Sequence, residues 1–311
     1  MSIHQLLVLM PVYNDWAACR RLLVAVDQSL SEAGVLGQVL LVDDGSGVTA
    51  SEDFLSQELK AIEGVQVLEL KRNLGHQRAI CVALGWVSEN WRGDAVLVMD
   101  ADGEDDPADI PRLVAAFDAE SPRRIIFAER TRRSESLSFR IGYWCYRQMH
   151  RWLTGHRVRV GNYSLVPVGM LESLVVIPEL WSHYAAAIYK SGLPYSTIPT
   201  ARAHRLDGNS SMNLVGLVTH GLTAMSVFGE IIGTRMLLIA LTLFALTVTA
   251  MLGAVATGCI LPWMIPGWVA IGVGLLASIA MQAVLLATAF SFVILGSRNT
   301  STFLPARDYW H

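Results

Sequence analysis

Asp94-Ala-Val-Leu-Val-Met-Asp-Ala-Asp-Gly-Glu-Asp-Asp-Pro107 is an apolar run that stops abruptly at five carboxylates within seven residues. Ala95 to Met99, short, continuously apolar and rich in Val, predicts a strand buried in a parallel sheet. Asp100, Asp102, Glu104, Asp105 and Asp106 repel one another unless something cationic sits among them. A divalent metal meets that need. Oxygen-only ligands at alternating positions suit Mg²⁺ or Mn²⁺ rather than zinc, and such a metal commonly holds substrate phosphates. Asp106 and Pro107 have the character of an N-cap and a first helical residue, which puts the cluster in a strand-to-helix loop, where open α/β sheets bind ligands. A solvated acidic loop is the plain alternative, since Asp-x-Asp is short and common.

Working outward, strand, polar loop and helix recur. Leu6 to Met10 predicts a strand ending at Pro11-Val-Tyr-Asn-Asp15, followed by a helix with Leu22, Leu23, Val26 and Leu30 on its apolar face. Val39 to Val42 predicts a second strand, ending at Asp43-Asp-Gly-Ser46. Val65 to Leu70 predicts a third, leading through Asn73 and Gly75 into a helix with Ala79, Ile80, Ala83, Leu84 and Val87 inward. Arg124 to Ala128 predicts a fifth strand. This alternation indicates an α/β fold with a Rossmann-like, mostly parallel sheet whose polar loops share one edge. No Gly-x-Gly-x-x-Gly follows any strand, which argues against dinucleotide binding. Asp43 and Asp44 are suited to hydrogen-bond a nucleoside while Asp100 and Asp102 hold a metal against a diphosphate, a division that fits a nucleotide-sugar.

The 311-residue chain is 52% hydrophobic, with its apolar residues concentrated late. No Asp, Glu, Lys, Arg or His occurs from Met236 to Ser297. Prolines and glycines in Thr257 to Gly267 divide this interval into two segments, about 236–257 and 268–295, each long enough for a bilayer, which needs roughly 20 apolar residues. Trp263, Trp268 and Trp310 lie near the ends, where interfacial aromatics are expected. Arg235, Arg298 and Arg307 flank the spans and the connecting loop is uncharged, so both termini are expected to be cytoplasmic, on a multi-pass protein of the cytoplasmic (inner) membrane. The first apolar run is short and ends at Pro11, unlike a signal peptide. Cys19, Cys81, Cys145 and Cys259 have no paired spacing, as expected of reduced thiols, and the net charge of −3 gives no sign of nucleic-acid binding.

Pro11-x-Tyr-Asn, Val42-Asp-Asp-Gly-Ser46, Asn73-x-Gly75, Asp100-Ala-Asp102 with Asp105-x-Pro107, and Arg130 together resemble inverting family 2 glycosyltransferases of the GT-A fold. With two C-terminal spans, the chain is most similar to the polyprenyl-phosphate glycosyltransferases, including dolichyl-phosphate mannose synthases. The resemblance implies a cytoplasmic GT-A domain over 1–210, a juxtamembrane amphipathic helix over 211–234, two transmembrane helices within 235–297 and a cytoplasmic tail over 298–311. It implies that Pro11, Val12, Tyr13, Asp15, Val42 and Asp44 cradle the base and ribose of a UDP- or GDP-sugar. Asp100, Ala101, Asp102 and Glu104 would serve the diphosphate and its Mg²⁺ or Mn²⁺, with Asp102 and Glu104 as metal ligands. Arg130 and Arg140 would contact phosphates of donor or acceptor, and Arg202 and Arg205 are further phosphate candidates. Association between copies through membrane helices is also implied. The chain departs from the family in having Gly103-Glu104 for Leu-Gln, Ser211 for a phosphate-binding Lys, and Asn162 where an Asp is frequent.

The region from Ser138 to Arg159 mixes Phe139, Tyr143, Trp144, Tyr146 and Trp152 with five arginines, which predicts an interfacial helix, or alternatively an amphipathic core helix. Gln148-Met-His-Arg-Trp152 matches the Gln-x-x-Arg-Trp of processive polysaccharide synthases, a coincidence given only two spans. His183 has the chemistry of a base and also of a hydrogen-bonded structural residue. The predicted activity is sugar transfer with anomeric inversion to undecaprenyl or dolichyl phosphate. The competing readings are transfer to another membrane acceptor, a glycolipid or protein, and a non-catalytic nucleotide-sugar-binding scaffold.

Overall fold

The structure is a computed structural model, and it describes residues 3–51, 54, 58–120, 123–132, 148–155, 160–201, 214–260 and 267–297. Two compact units emerge, one carrying the sheet and one carrying the two long C-terminal helices.

In the first unit the strands are β1 Gln5–Val12, β2 Leu36–Asp43, β3 Ile62–Glu69, β4 Ala95–Val98, β5 Ile125–Arg132, β6 Val160–Pro167 and β7 Tyr195–Ala201. They form one sheet in the order β3-β2-β1-β4-β6-β5-β7. β3, β2, β1 and β4 run parallel, with Leu9 level with both Leu40 and Val98. β6 is antiparallel to β4 and to β5, and β7 returns parallel to β5. The sheet is therefore mostly parallel, as expected, with an antiparallel insertion that the apolar pattern of Val160 to Pro167 did not betray. Periodicity alone cannot separate a short strand from its neighbours in such a segment.

Helices α1 Trp16–Ala33, α2 His76–Asn90 and α3 Ile110–Glu120 are those expected. Residues 148–154, helix α4, belong to the second unit. α5 Val168–Val175, α6 Tyr184–Ser191 and α7 Leu214–Ser226 complete the first. Strand side chains alternate between two cores. Leu6, Val8, Met10, Val39, Leu41 and Leu97 meet Leu22, Val26 and Leu30 of α1 and Leu113 and Phe117 of α3. Leu7, Leu9, Leu40, Val42, Val96 and Val98 meet Ile80, Ala83 and Val87 of α2, together with α5 and α6. Because both faces are covered there, the central strands β1 and β4 are almost continuously apolar, whereas β3 and β7 at the two ends of the sheet are largely exposed.

Within the second unit, α8 Gly229–Ile260 and α9 Gly267–Ser297 pack on each other, with Ala240, Ala280 and Ala287 buried. At 1.5 Å per residue α8 is about 48 Å long, more than the roughly 30 Å hydrocarbon core of a bilayer. Only 6% of the most apolar stretch of α8, and 11% of that of α9, is buried. Leu238, Leu241, Leu246, Leu275, Leu285 and Phe292 are all exposed. Such surface is incompatible with water and suits lipid, so these are membrane-associating helices rather than core helices. Within the 211–234 span expected for a juxtamembrane helix, the described residues hold α7 and the first turns of α8. α7 ends at Ser226, and a new helix starts at Gly229, carrying Glu230 and Arg235 ahead of the apolar stretch. Charges there end the lipid-compatible segment without ending the helix. Arg235 donates to the carbonyls of Trp152 and Leu153 at 2.6 and 3.0 Å, satisfying the C-terminal end of α4.

Asp27 in α1, only 7% exposed, accepts the N–H groups of Lys60, Ala61 and Ile62 at 2.8–3.0 Å and fixes the start of β3. Burial alone would raise its pKa, but these amides and the nearby Lys60 charge hold it below the ordinary 3.8. Asp27→Ala should cost about 3 kcal/mol, read as a lowered thermal midpoint at neutral pH, because three N–H groups, those of Ala61 and Ile62 buried, lose a charged acceptor. A depressed native pKa stabilises above the unfolded value and is lost as pH falls through the native one. The difference between Asp27→Ala and wild type should therefore shrink only below about pH 3.8.

Candidate active site

The carboxyl ends of β2, β1 and β4 converge, and their loops are tied together through main-chain groups. Asp44 N–H donates to Val12 C=O, Leu70 N–H to Asp43 C=O and Met99 N–H to Leu9 C=O. Pro11, Val12 and Val42 end their strands buried, whereas Tyr13 is 53% exposed at the rim. Asn14 adopts φ +58° and its side chain accepts from Gly47 and Val48 N–H at 2.8 and 3.2 Å, stitching the first loop to the second. Asp15 is the N-cap residue of α1 without a side-chain capping bond.

Asp43 accepts from Ser46 N–H at 2.8 Å. Asp44, 3% exposed, accepts from Leu74 and Gly75 N–H at 2.7 and 2.9 Å. Burial raises the Asp44 pKa against the lowering effect of these bonds. Its carboxylate thus organises the turn that starts α2, a task the sequence did not disclose. Gly45, at φ +69°, permits this approach, since a Cβ there would lie 2.7 Å from Asn73 N.

The acidic loop divides its labour. Asp105, 2% exposed, accepts from Asp100 N–H at 3.0 Å, and Asp106 caps the turn Pro107–Asp109 by accepting from Ala108 N–H. Tyr163 donates to Asp106 C=O at 3.0 Å. Asp102 accepts from Glu104 N–H at 2.9 Å. Asp105 is buried, while Asp100, Asp102, Glu104 and Asp106 are half-buried and Ala101 lies beneath them. Among the described residues no three acidic, His or Cys side chains converge as a preformed metal cage. The donor set nevertheless fits a hard cation held by one or two carboxylates, with substrate phosphates completing the shell, which is the usual arrangement for Mg²⁺.

Sequence reasoning missed His76. Its Nε2 lies 3.0 Å from Asp100 Oδ1 and 2.8 Å from Asn162 Nδ2. Desolvation opposes its charge, but Asp100, with Asp105 and Asp102 beyond it, outweighs that and raises the ring's pKa. The available signal was positional: His76 follows Asn73-x-Gly75 and opens α2, after the loop that leaves β3 at the same edge. Asn162 arrives with β6, because the antiparallel register that pairs Val98 with Ser164 carries Asp100, two residues after Val98, alongside Asn162, two residues before Ser164. His183 is buried and caps α6, accepting from Ala186 N–H at 3.4 Å, in keeping with its structural reading. Arg130 lies in β5 with its side chain outside the described residues, and Arg140, Arg202 and Arg205 lie outside them altogether.

Similarity to known proteins agrees with this geometry. An undecaprenyl-phosphate 4-deoxy-4-formamido-L-arabinose transferase of Edwardsiella ictaluri is 27% identical over 292 residues, covering 88% of this chain and 82% of that protein. Its namesake from Erwinia tasmaniensis is 28% identical over 270 residues, covering 78% of each. Among solved structures, glucosyl-3-phosphoglycerate synthase from Mycobacterium tuberculosis, in complex with Mn²⁺, UDP-glucose and phosphoglyceric acid, superposes with a TM-score of 0.52 at 16% identity. The match covers 74% of this chain and 80% of that one and shares the fold. Residues 7–175, the strands and loops that build the carboxylate edge, match the family model described as Glycosyl transferase family 2, and the chain belongs to that family.

Proposed function

We propose that this glycosyltransferase moves a sugar from a nucleotide-diphospho-sugar to a polyprenyl phosphate, with inversion at the anomeric carbon. The observation that carries the reading is the convergence of the Asp43–Ser46 and Asp100–Glu104 loops on one sheet edge, in a chain that also has two lipid-compatible helices. The names of the two bacterial transferases support the acceptor class. In this reading Pro11, Val12, Tyr13, Asp15, Val42 and Asp44 frame the nucleoside. Asp100 and Asp102, with Glu104 beside them, hold a divalent cation, Mg²⁺ or Mn²⁺, against the diphosphate. When bound, that cation neutralises the charge developing on the leaving nucleoside diphosphate. Arg130, Arg140, Arg202 and Arg205 serve the phosphates of donor and acceptor.

The acceptor oxygen is already anionic at neutral pH, since a phosphate's second pKa is near 6, so no general base is required. Catalysis is then positioning and charge stabilisation. The engagement of His183 as a helix cap agrees with that economy. Direct displacement converts an α-linked donor into a β-linked lipid phosphate. The active edge and both termini face the cytoplasm, and copies associate through their apolar helices.

Purified protein in detergent, given undecaprenyl phosphate, Mn²⁺ and a panel of UDP- and GDP-sugars that includes UDP-4-deoxy-4-formamido-L-arabinose, should yield one lipid-linked sugar by mass spectrometry. Failure with every donor would overturn the reading. Asp102→Asn should lower kcat/KM about 100-fold or more, the scale of losing a group that stabilises transition-state charge. EDTA should abolish turnover, and either Mg²⁺ or Mn²⁺ should restore it.

A further inference from the structure

Asp100 is held by a chain of side chains whose hydrogen bonds can point only one way. The chain begins at Tyr184 N–H, which donates to Gln77 Oε1 at 2.8 Å. A main-chain N–H cannot accept, so the Gln77 amide is locked with its Nε2 turned to Asn162 Oδ1, 3.1 Å away. That in turn locks Asn162 with its Nδ2 toward His76 Nε2 and Asp100 Oδ1, at 2.8 and 3.4 Å. His76 Nε2 completes the triangle, 3.0 Å from the same Asp100 oxygen. A protonated ring donates to Asp100 directly, and a neutral one accepts from Asn162. The Asn162 Nδ2 faces both members of the pair, 2.8 Å from the ring nitrogen and 3.4 Å from the carboxylate oxygen.

The same tyrosine grips Asn162 a second time. Ser164 Oγ donates to Asn162 C=O at 2.9 Å, and with its proton committed there it accepts from the Tyr184 hydroxyl at 2.8 Å. Tyr184 and Ser164 are fully buried, and Asn162 is 9% exposed. Inside such surroundings a directed network is stiff, because reversing any one amide leaves two donors or two acceptors facing each other.

We infer that Gln77 and Asn162 are positioning residues which, anchored on Tyr184, present a fixed hydrogen-bond donor to Asp100 and so set the carboxylate's orientation toward the cation and diphosphate of the donor. The inference rests on the nucleotide-sugar reading above, yet concerns residues to which neither the motifs nor the relatives' names assign a role. It also gives Asn162 a reason to be an amide. An Asp there could accept from Gln77 but could not donate to Asp100.

Gln77→Glu separates orientation from charge. The substituted carboxylate still accepts from Tyr184 N–H but cannot donate, so Asn162 must turn over and point its oxygen at Asp100. The added negative charge alone would tighten Mn²⁺ binding, whereas lost positioning weakens it. Mn²⁺ binding to full-length protein in detergent with UDP or GDP, followed by electron paramagnetic resonance and without acceptor lipid, should weaken about tenfold in Gln77→Glu, the scale of one charge-assisted hydrogen bond. Asn162→Ala removes the donor without adding charge and should weaken binding comparably. The KM for the sugar nucleotide should rise with it, whereas a variant that merely unfolds loses kcat and keeps its KM and Mn²⁺ affinity. Unchanged or tighter Mn²⁺ binding in both variants overturns the inference and leaves the glycosyltransferase reading intact. A wild-type protein that binds Mn²⁺ with neither nucleotide overturns both.

Discussion

One interaction recurs at several of the described loops: a side-chain oxygen accepting main-chain N–H groups that the loop would otherwise leave bare. Asp94 receives His4 and Gln5 at the start of β1, and Asp27 receives three amides at the start of β3. Asn14, Asp43, Asp44, Asp105 and Asp106 do the same at the opposite edge. Buried N–H groups must find partners, and loops between covered strands lack the ladder that would supply them. The acidic residues of these loops are therefore part of the scaffold.

That role bears on the site. Five clustered carboxylates would be intolerable if all were free charges at one point, but Asp105 and Asp106 are oriented onto amides of their own loop. Asp100 and Asp102 remain at the rim, each also engaged by a neighbouring group that orients it. Carboxylates so oriented need little rearrangement to meet a cation and a diphosphate, which is where electrostatic catalysis gains most. The membrane helices obey the opposite rule. Their backbone is satisfied internally, and most of their apolar side chains are left uncovered by the rest of the chain, a surface that suits lipid.

Local sequence determined the parallel half of the sheet. β1, β2 and β4 are unbroken apolar runs ending in polar loops, and α1 and α2 carry apolar residues at helical spacing, so period and punctuation sufficed. The charge-free interval from Met236 to Ser297 likewise announced its two helices, since nothing but lipid or a large core tolerates such a stretch. The motifs at Pro11, Val42 and Asp100 all fall on the one sheet edge where the strand-end loops converge.

Tertiary structure alone decided the rest. β6 enters between β4 and β5 against the direction of its partner β4, and only that crossing brings Asn162 to Asp100 from 62 residues away. His76 and Gln77 carry no motif of their own and gain meaning from the neighbours that α2 delivers them to. Asp44 reads as a nucleotide ligand in sequence, yet in space it also fastens the turn before α2. The physical reason is common to all three. Hydrophobic period and turn chemistry are local quantities that a chain displays residue by residue, whereas the direction of a hydrogen bond depends on which donor the fold places opposite, and that is settled only when strands distant in sequence pair.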